Sequence, residues 1–345
     1  MMTPEALYEK LKHVRAGGTT CLFTPEKCEE LAPLINEINE LKKEKNAVIL
    51  AHSYVSPEII YGVSDFVGDS YGLSKDAMNT DADTIIFVAV KFMGDTAKIL
   101  NPEKEVLIPS ELNGCSLADS ITGDDVRKLR EQFPEHTFVC YINTTAEVKA
   151  ECDICVTSSN VYDIVERVPT DKIYFLPDKL MGLNIREEMK ARGVNKDIQL
   201  WDGTCYVHEE YDPDMITHLR KEHPKLEVLA HPECSPGVLA DSDFVGSTSQ
   251  LLDYMKKADA EAYLMLTECG LTGRLEVEMP ETNFVGSCTM CKYMKSNTLE
   301  DIKRVLTNPR ESDRITIEPA VREKAAECIN EMFRWAESAP AGKTS

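Results

Sequence analysis

At 345 residues, with 43% apolar and 28% charged side chains, the sequence has a globular balance and room for two or three domains or one large fold. A net charge of -21 argues against nucleic-acid binding, which needs clustered Lys and Arg, yet it leaves room for a small anionic substrate held locally. No apolar run reaches the ~20 residues that span a bilayer, and MMTPEALYEKLKHVRAGG lacks a signal-peptide core, so the expectation is a cytoplasmic protein with no membrane partner.

Residues 1–45 read as an N-terminal helical extension: two helices around a Gly-Gly break, ending in the charged run INELKKEKN. A short apolar strand, AVILAH, then opens a first unit, assigned to 46–135. Similar strands recur as TFVCYIN, opening a second unit over 136–225, and as LEVLAHPEC, opening a third over 226–310. The polar residues that end them, His52, Asn143 and His231, are 91 and 88 residues apart. Other strand-like passages keep the same phase. DADTIIFVAV, AECDICVTSSN and ADSDFVGSTSQ form one set, and KEVLIPSE, DKIYFLPDK and AEAYLMLTECG another. Helical stretches such as DDVRKLREQF and DPDMITHLRKEH lie between them. The repeat predicts three homologous α/β units, each a parallel sheet covered by helices, with their strand ends meeting around one central cavity. The alternative is one long doubly wound domain. Two helices, NTLEDIKRVLTN and PAVREKAAECINEMFRWAE, come next, and residues 311–345 are read as a C-terminal helix with a disordered tail, ESAPAGKTS.

Twelve cysteines in a chain this long, read as cytoplasmic, are not expected to form a disulfide framework. Most read as small buried apolar groups, Cys328 among them, and the pair Cys152 and Cys155 is read as mostly structural. Three keep the phase of the repeat: Cys115 in PSELNGCSLAD, Cys205 in LWDGTCYVHEE and Cys291 in FVGSCTMCKYMK, separated by 90 and 86 residues. Equivalent positions around a threefold axis converge, and three thiolates suit a cubane cluster with one iron left open. Cys288 and Cys291 also form a CxxC, which on spacing alone suits a redox pair or half a zinc site, and purely structural cysteines stay open too.

Along residues 45 to 310 the chain resembles the quinolinate synthase family. The marks are LAHSY (50–54), DFVGDS (65–70), FMGDTAKILNP (92–102), YINTTAEVKA (141–150), AHPEC (230–234), DFVGSTSQ (243–250) and CKYMKSNTLE (291–300), in that order. The resemblance implies three αβα units about a pseudo-threefold axis. It also implies an enzyme of NAD biosynthesis that condenses iminoaspartate with dihydroxyacetone phosphate to quinolinate, phosphate and water. The implied cofactor is one [4Fe–4S] cluster per chain acting as a Lewis acid on Cys115, Cys205 and Cys291. Some members carry CxxCxxC where this chain has C-T-M-C, which leaves Cys288 a bystander. The implied partners are the two small anionic substrates and an aspartate-oxidising or aspartate-dehydrogenating enzyme.

The expected catalytic residues are Tyr54, Glu233, His231 and His52. Tyr54 and His52 are two apart, so in extended chain they point the same way, and His231 and Glu233 repeat that spacing. By resemblance Tyr54 handles protons on the triose-derived part and His52 anchors substrate oxygens. Glu233 is taken as a general base or acid and His231 as a substrate-orienting or proton-relay partner. Tyr141 and Asn143 resemble a substrate-contacting pair. Ser70, Ser158, Ser247 and Thr248 lie where strands give way to helices and can hold carboxylate or phosphate, or serve only as helix caps. Lys149, Glu268, Lys91 and Arg274 are unranked helpers. A hydro-lyase acting on another substrate and a metal-dependent regulator are the competing readings. A dinucleotide enzyme is weak, because no strand is followed by the spaced-glycine fingerprint.

Overall fold

A computed structural model describes residues 1–16, 20–286 and 288–338. The predicted Gly-Gly break and tail residues 339–345 lie outside these. Two capped helices begin the chain: Pro4–Leu11 behind Thr3 and Pro25–Glu44 behind Thr24, each with proline in its first turn, where no intrahelical N–H is needed. Between them β1 (Arg15–Ala16) and β2 (Thr20–Cys21) pair antiparallel.

Three parallel sheets follow. The first holds β3 (Ala47–His52), β4 (Phe66–Gly68), β5 (Thr84–Val88) and β6 (Glu105–Leu107) in the order β4-β3-β5-β6. The second holds β7 (Thr137–Tyr141), β8 (Ile154–Val156), β9 (Lys172–Leu176) and β10 (Asp197–Leu200), with the same neighbour relations. The third holds β11 (Leu226–Ala230), β12 (Phe244–Val245) and β13 (Ala262–Leu266), with β11 central. Where a fourth strand would lie, isolated parallel bridges join Tyr263 to Phe284 and, just past β13, Glu268 to Thr289.

The fold is therefore α/β in three similar units, as the repeat predicts. The first strand of each unit sits between the second and third, so consecutive connections leave to opposite sides and open a crevice at its carboxyl end. Apolar runs without alternation explain the parallel pairing, since these strands are covered on both faces. Val48 to Ala51, Phe138 to Tyr141 and Val228 to Ala230 are all buried. Near the C-terminus the long helix Pro319–Glu337 packs on Ala146–Ala150 and β8.

One expectation about the cysteines changes. Cys288, read as a bystander to the cofactor, is disulfide-bonded to Cys269, a pairing not expected from the sequence, and this ties the start of helix Cys269–Glu278 to the segment leading to Cys291.

Candidate active site

The three crevices open into one cavity lined from all three units. The first contributes His52 at the end of β3, with Tyr54 two residues on and Ser70 at the start of helix Ser70–Asn79. The second contributes Tyr141 at the end of β7, with Asn143 and Ser158. The third contributes His231 and Glu233, just past β11, and Thr248 in the first turn of helix Thr248–Met255. Ser247 does not line the cavity. It caps that helix with Gln250 and reaches Asp69 Oδ2 at 3.5 Å, so it acts from behind the wall.

Two strand ends fold alike. The Tyr54 backbone N–H donates to His52 Nδ1 at 3.2 Å, and the Glu233 N–H donates to His231 Nδ1 at 3.4 Å. Accepting at Nδ1 leaves each ring's proton on Nε2. Both rings are buried, and burial lowers their pKa to about 4 for His52 and about 3 for His231, so both are neutral.

A chain of hydrogen bonds runs through the cavity wall. Tyr54 Oη lies 2.9 Å from Thr248 Oγ1 and 2.7 Å from Thr267 Oγ1. Thr267 Oγ1 is 3.2 Å from His208 Nε2, and His208 Nδ1 is 3.1 Å from Glu233 Oε2. On the far side Tyr141 donates to Glu233 Oε1 at 2.7 Å. His231 stacks on His208 at 4.8 Å between centroids. Burial raises Glu233, but the charge and hydrogen bond of His208, with His231 and Tyr141, outweigh it and bring the carboxyl to about 2. Burial pushes the Tyr54 phenol up. Hydroxyl, imidazole and carboxylate thus stand in series, the arrangement that lets a hydroxyl release and recover a proton.

His208 and Thr267 were missed in the sequence. Thr267 follows the last residue of β13, where the strand-end rule points. His208 follows Cys205 by three residues but keeps no phase with the other histidines. Glu268, one of the unranked helpers, lines the cavity and accepts the Cys291 N–H at 3.0 Å. The other three stand off it: Arg274 donates to Ser53 Oγ, Lys91 pairs with Asp95, and Lys149 is wholly buried against backbone carbonyls.

Comparison with known proteins decides the family. Residues 36–334 match the family described as Quinolinate synthetase A protein. Quinolinate synthase 2 of Mesorhizobium japonicum is 44% identical over 312 residues, covering 90% of this chain and 94% of that one. Quinolinate synthase of Caulobacter vibrioides is 42% identical over 331 residues, covering 95% and 86%. The chain belongs to the quinolinate synthase family. Family membership, with a candidate metal group in the cavity, supports quinolinate synthase activity in NAD biosynthesis, a transferase-type reaction that uses an iron–sulfur cofactor.

The expected ligand set for that cofactor is corrected. Cys115, Cys205 and Cys291 all line the cavity, and burial raises all three thiols, Cys115 to about 12. Among the described residues, however, the group whose ligand atoms lie within 4.8 Å of one another is Cys205, His208 and Glu233. It has one cysteine, so a [4Fe–4S] cluster on three cysteine ligands with an open iron does not fit it. The donors gathered are one sulfur, one imidazole nitrogen and one carboxylate, the last two already hydrogen-bonded to each other.

Proposed function

We propose that this quinolinate synthase joins iminoaspartate to dihydroxyacetone phosphate, releasing quinolinate, one phosphate and two waters. The observation that carries the reading is the unbroken chain from Tyr54 through Thr267 and His208 to Glu233 and Tyr141. Phosphate loss, isomerisation and two dehydrations each need a proton moved at a fixed point, and this chain has hydroxyls at both ends and a base between.

In this reading Tyr54 transfers protons on the triose-derived carbons and regains them through Thr267 and His208. Glu233, held ionised, is the base that draws the proton along, and Tyr141 fixes its second oxygen. His52 and His231 each present an Nε2 proton to substrate oxygens. Asn143 contacts the substrate beside Tyr141. Ser70, Ser158 and Thr248 hold carboxylate or phosphate with nearby backbone N–H groups, and Ser247 steadies that edge through Asp69.

The imine hydrolyses in water, so an enzyme that oxidises or dehydrogenates aspartate must supply it. We assign the reaction to the cytoplasm. Among the described residues no helix is long and apolar enough to cross a membrane, which agrees with that assignment. The test is oxygen-free incubation of the enzyme with dihydroxyacetone phosphate and iminoaspartate made in place. Quinolinate and phosphate should appear one to one. Phosphate release without quinolinate, unaffected by leaving out the imine, would sink the proposal.

A further inference from the structure

Behind the cavity lies a second group of cysteines that the reaction does not use. Cys140 on β7 and Cys155 on β8 are register partners in the parallel ladder. Cys328 projects from helix Pro319–Glu337, and its Sγ is 3.7 Å from Cys140 Sγ. Cys152 completes the group, with Cys140 in side-chain contact with all three of the others. No three of these sulfurs are mutually within 4.8 Å, so they are not a ready metal cage.

The surroundings favour a reactive thiol. Lys149 is fully buried beside the group and donates to the carbonyls of Ile142 and Thr144, and among the described residues no carboxylate lies within 4.0 Å of it. Asp95, itself bonded to Lys91, acts on Lys149 only through space, so the buried ammonium remains a nearby cation that favours a thiolate. Burial raises the Cys140 thiol, but hydrogen bonds from Cys152, Cys155 and Cys328 and the charge of Lys149 outweigh it and bring it well below its usual value. Cys152 and Cys328, 8% and 1% exposed, form part of the floor of a surface pocket with Arg130, Lys324 and Arg334.

We propose that Cys140 and Cys328 are a redox-active thiol pair, oxidised to a disulfide by a low-molecular-weight disulfide that enters this pocket. Burial holds the Cys328 thiol up, so Cys328 passes its proton to the Cys140 thiolate 3.7 Å away as it attacks one sulfur of the small disulfide, forming a mixed disulfide; the small thiolate released takes that proton from Cys140 and leaves as a thiol. The thiolate of Cys140 then attacks Cys328 Sγ, and the second small thiol leaves. Two protein thiols are oxidised and one small disulfide is reduced to two thiols. The sulfurs close from 3.7 Å to the ~2.05 Å of a disulfide. That pulls on β7 one residue before Tyr141, whose hydroxyl holds Glu233. Oxidation therefore lowers turnover through the active-site hydrogen bonds without touching the substrate.

The test treats the cofactor-containing enzyme with oxidised glutathione, alkylates the remaining thiols and maps the peptides. The expected product joins the Cys140 and Cys328 peptides with two hydrogens lost, turnover falls by roughly tenfold, and dithiothreitol restores it. A Cys328→Ala enzyme should keep most of its turnover under the same treatment. Equal inhibition of both enzymes overturns the link to Tyr141. Full alkylation of Cys140 after treatment overturns the pair itself. If Cys328→Ala does not fold, Cys152→Ala should still form the Cys140–Cys328 cross-link. A cross-link from Cys140 to Cys152 in the parent overturns the assignment.

Discussion

Tyr141 donates its hydroxyl proton to Glu233 Oε1 at 2.7 Å, binding the end of the second sheet to the first turn beyond the third. Removing that hydroxyl as Tyr141→Phe takes away a bond that favours the ionised carboxyl. The acidic limb of the kcat/KM profile should move to higher pH, and turnover should drop roughly tenfold or more. An unshifted acidic limb would remove Tyr141 from the control of Glu233.

Breaking the relay in the middle should cost more. His208→Gln severs Thr267 from Glu233, and Thr267→Val severs Tyr54 from His208. Each should lower kcat by about 10²–10⁴. Because the groups act in series, the double variant should be little worse than the poorer single one. Multiplying losses would show that they act independently.

Acid should weaken the fold through buried neutral rings. His52 and His231 titrate near 4 and 3 in the folded chain, against an ordinary 6.5. As pH falls below about 6.5 the unfolded chain takes up those protons first. Stability is therefore full above that pH and declines until the folded rings protonate. Glu233 acts in the same direction at lower pH, its contribution present above 4.5 and lost as pH falls through about 2. Urea unfolding at pH 5 should show a stability lower than at pH 7.5 by on the order of 2 kcal/mol for each histidine. His52→Gln should flatten the slope, and a parent enzyme equally stable at both pH values would refute the account.

Gly270 stands where the third unit meets the first. A Cβ added there would fall on the backbone carbonyl of Tyr54, which cannot swing aside as a side chain can. Gly270→Ala should displace Tyr54 and reduce kcat by about tenfold or more while the protein still folds. Turnover equal to the parent's would show that the seam yields.

Much of this was legible in the sequence because the repeat carries it. The strand-end residues His52, Asn143 and His231 marked the cavity before any coordinates, since parallel sheets place ligand-facing groups at their carboxyl ends. The in-phase Cys115, Cys205 and Cys291 also reach the cavity, yet the compact donor set mixes Cys205 with His208 and Glu233. Phase along the chain selects equivalent positions and cannot see that a histidine outside the repeat swings in beside one of them. The Cys269–Cys288 disulfide escaped for a similar reason: the two cysteines are 19 residues apart, in different segments, which the bridges Tyr263–Phe284 and Glu268–Thr289 bring together in the fold. Ser247 read as a substrate contact and as a helix cap alike, and its place at the N-cap of helix Thr248–Met255 serves the cap.

The similar strand ends that meet in the cavity bear on how this site is made and unmade. Each unit carries its own donors as a fixed cassette: His52 with Tyr54, Tyr141 with Asn143, His231 with Glu233. Parting the molecule along any seam would keep every cassette intact while cutting the bonds between them. Three near-copies of one scaffold have thus become unlike jaws of a single grip, and no one of them can do the chemistry alone.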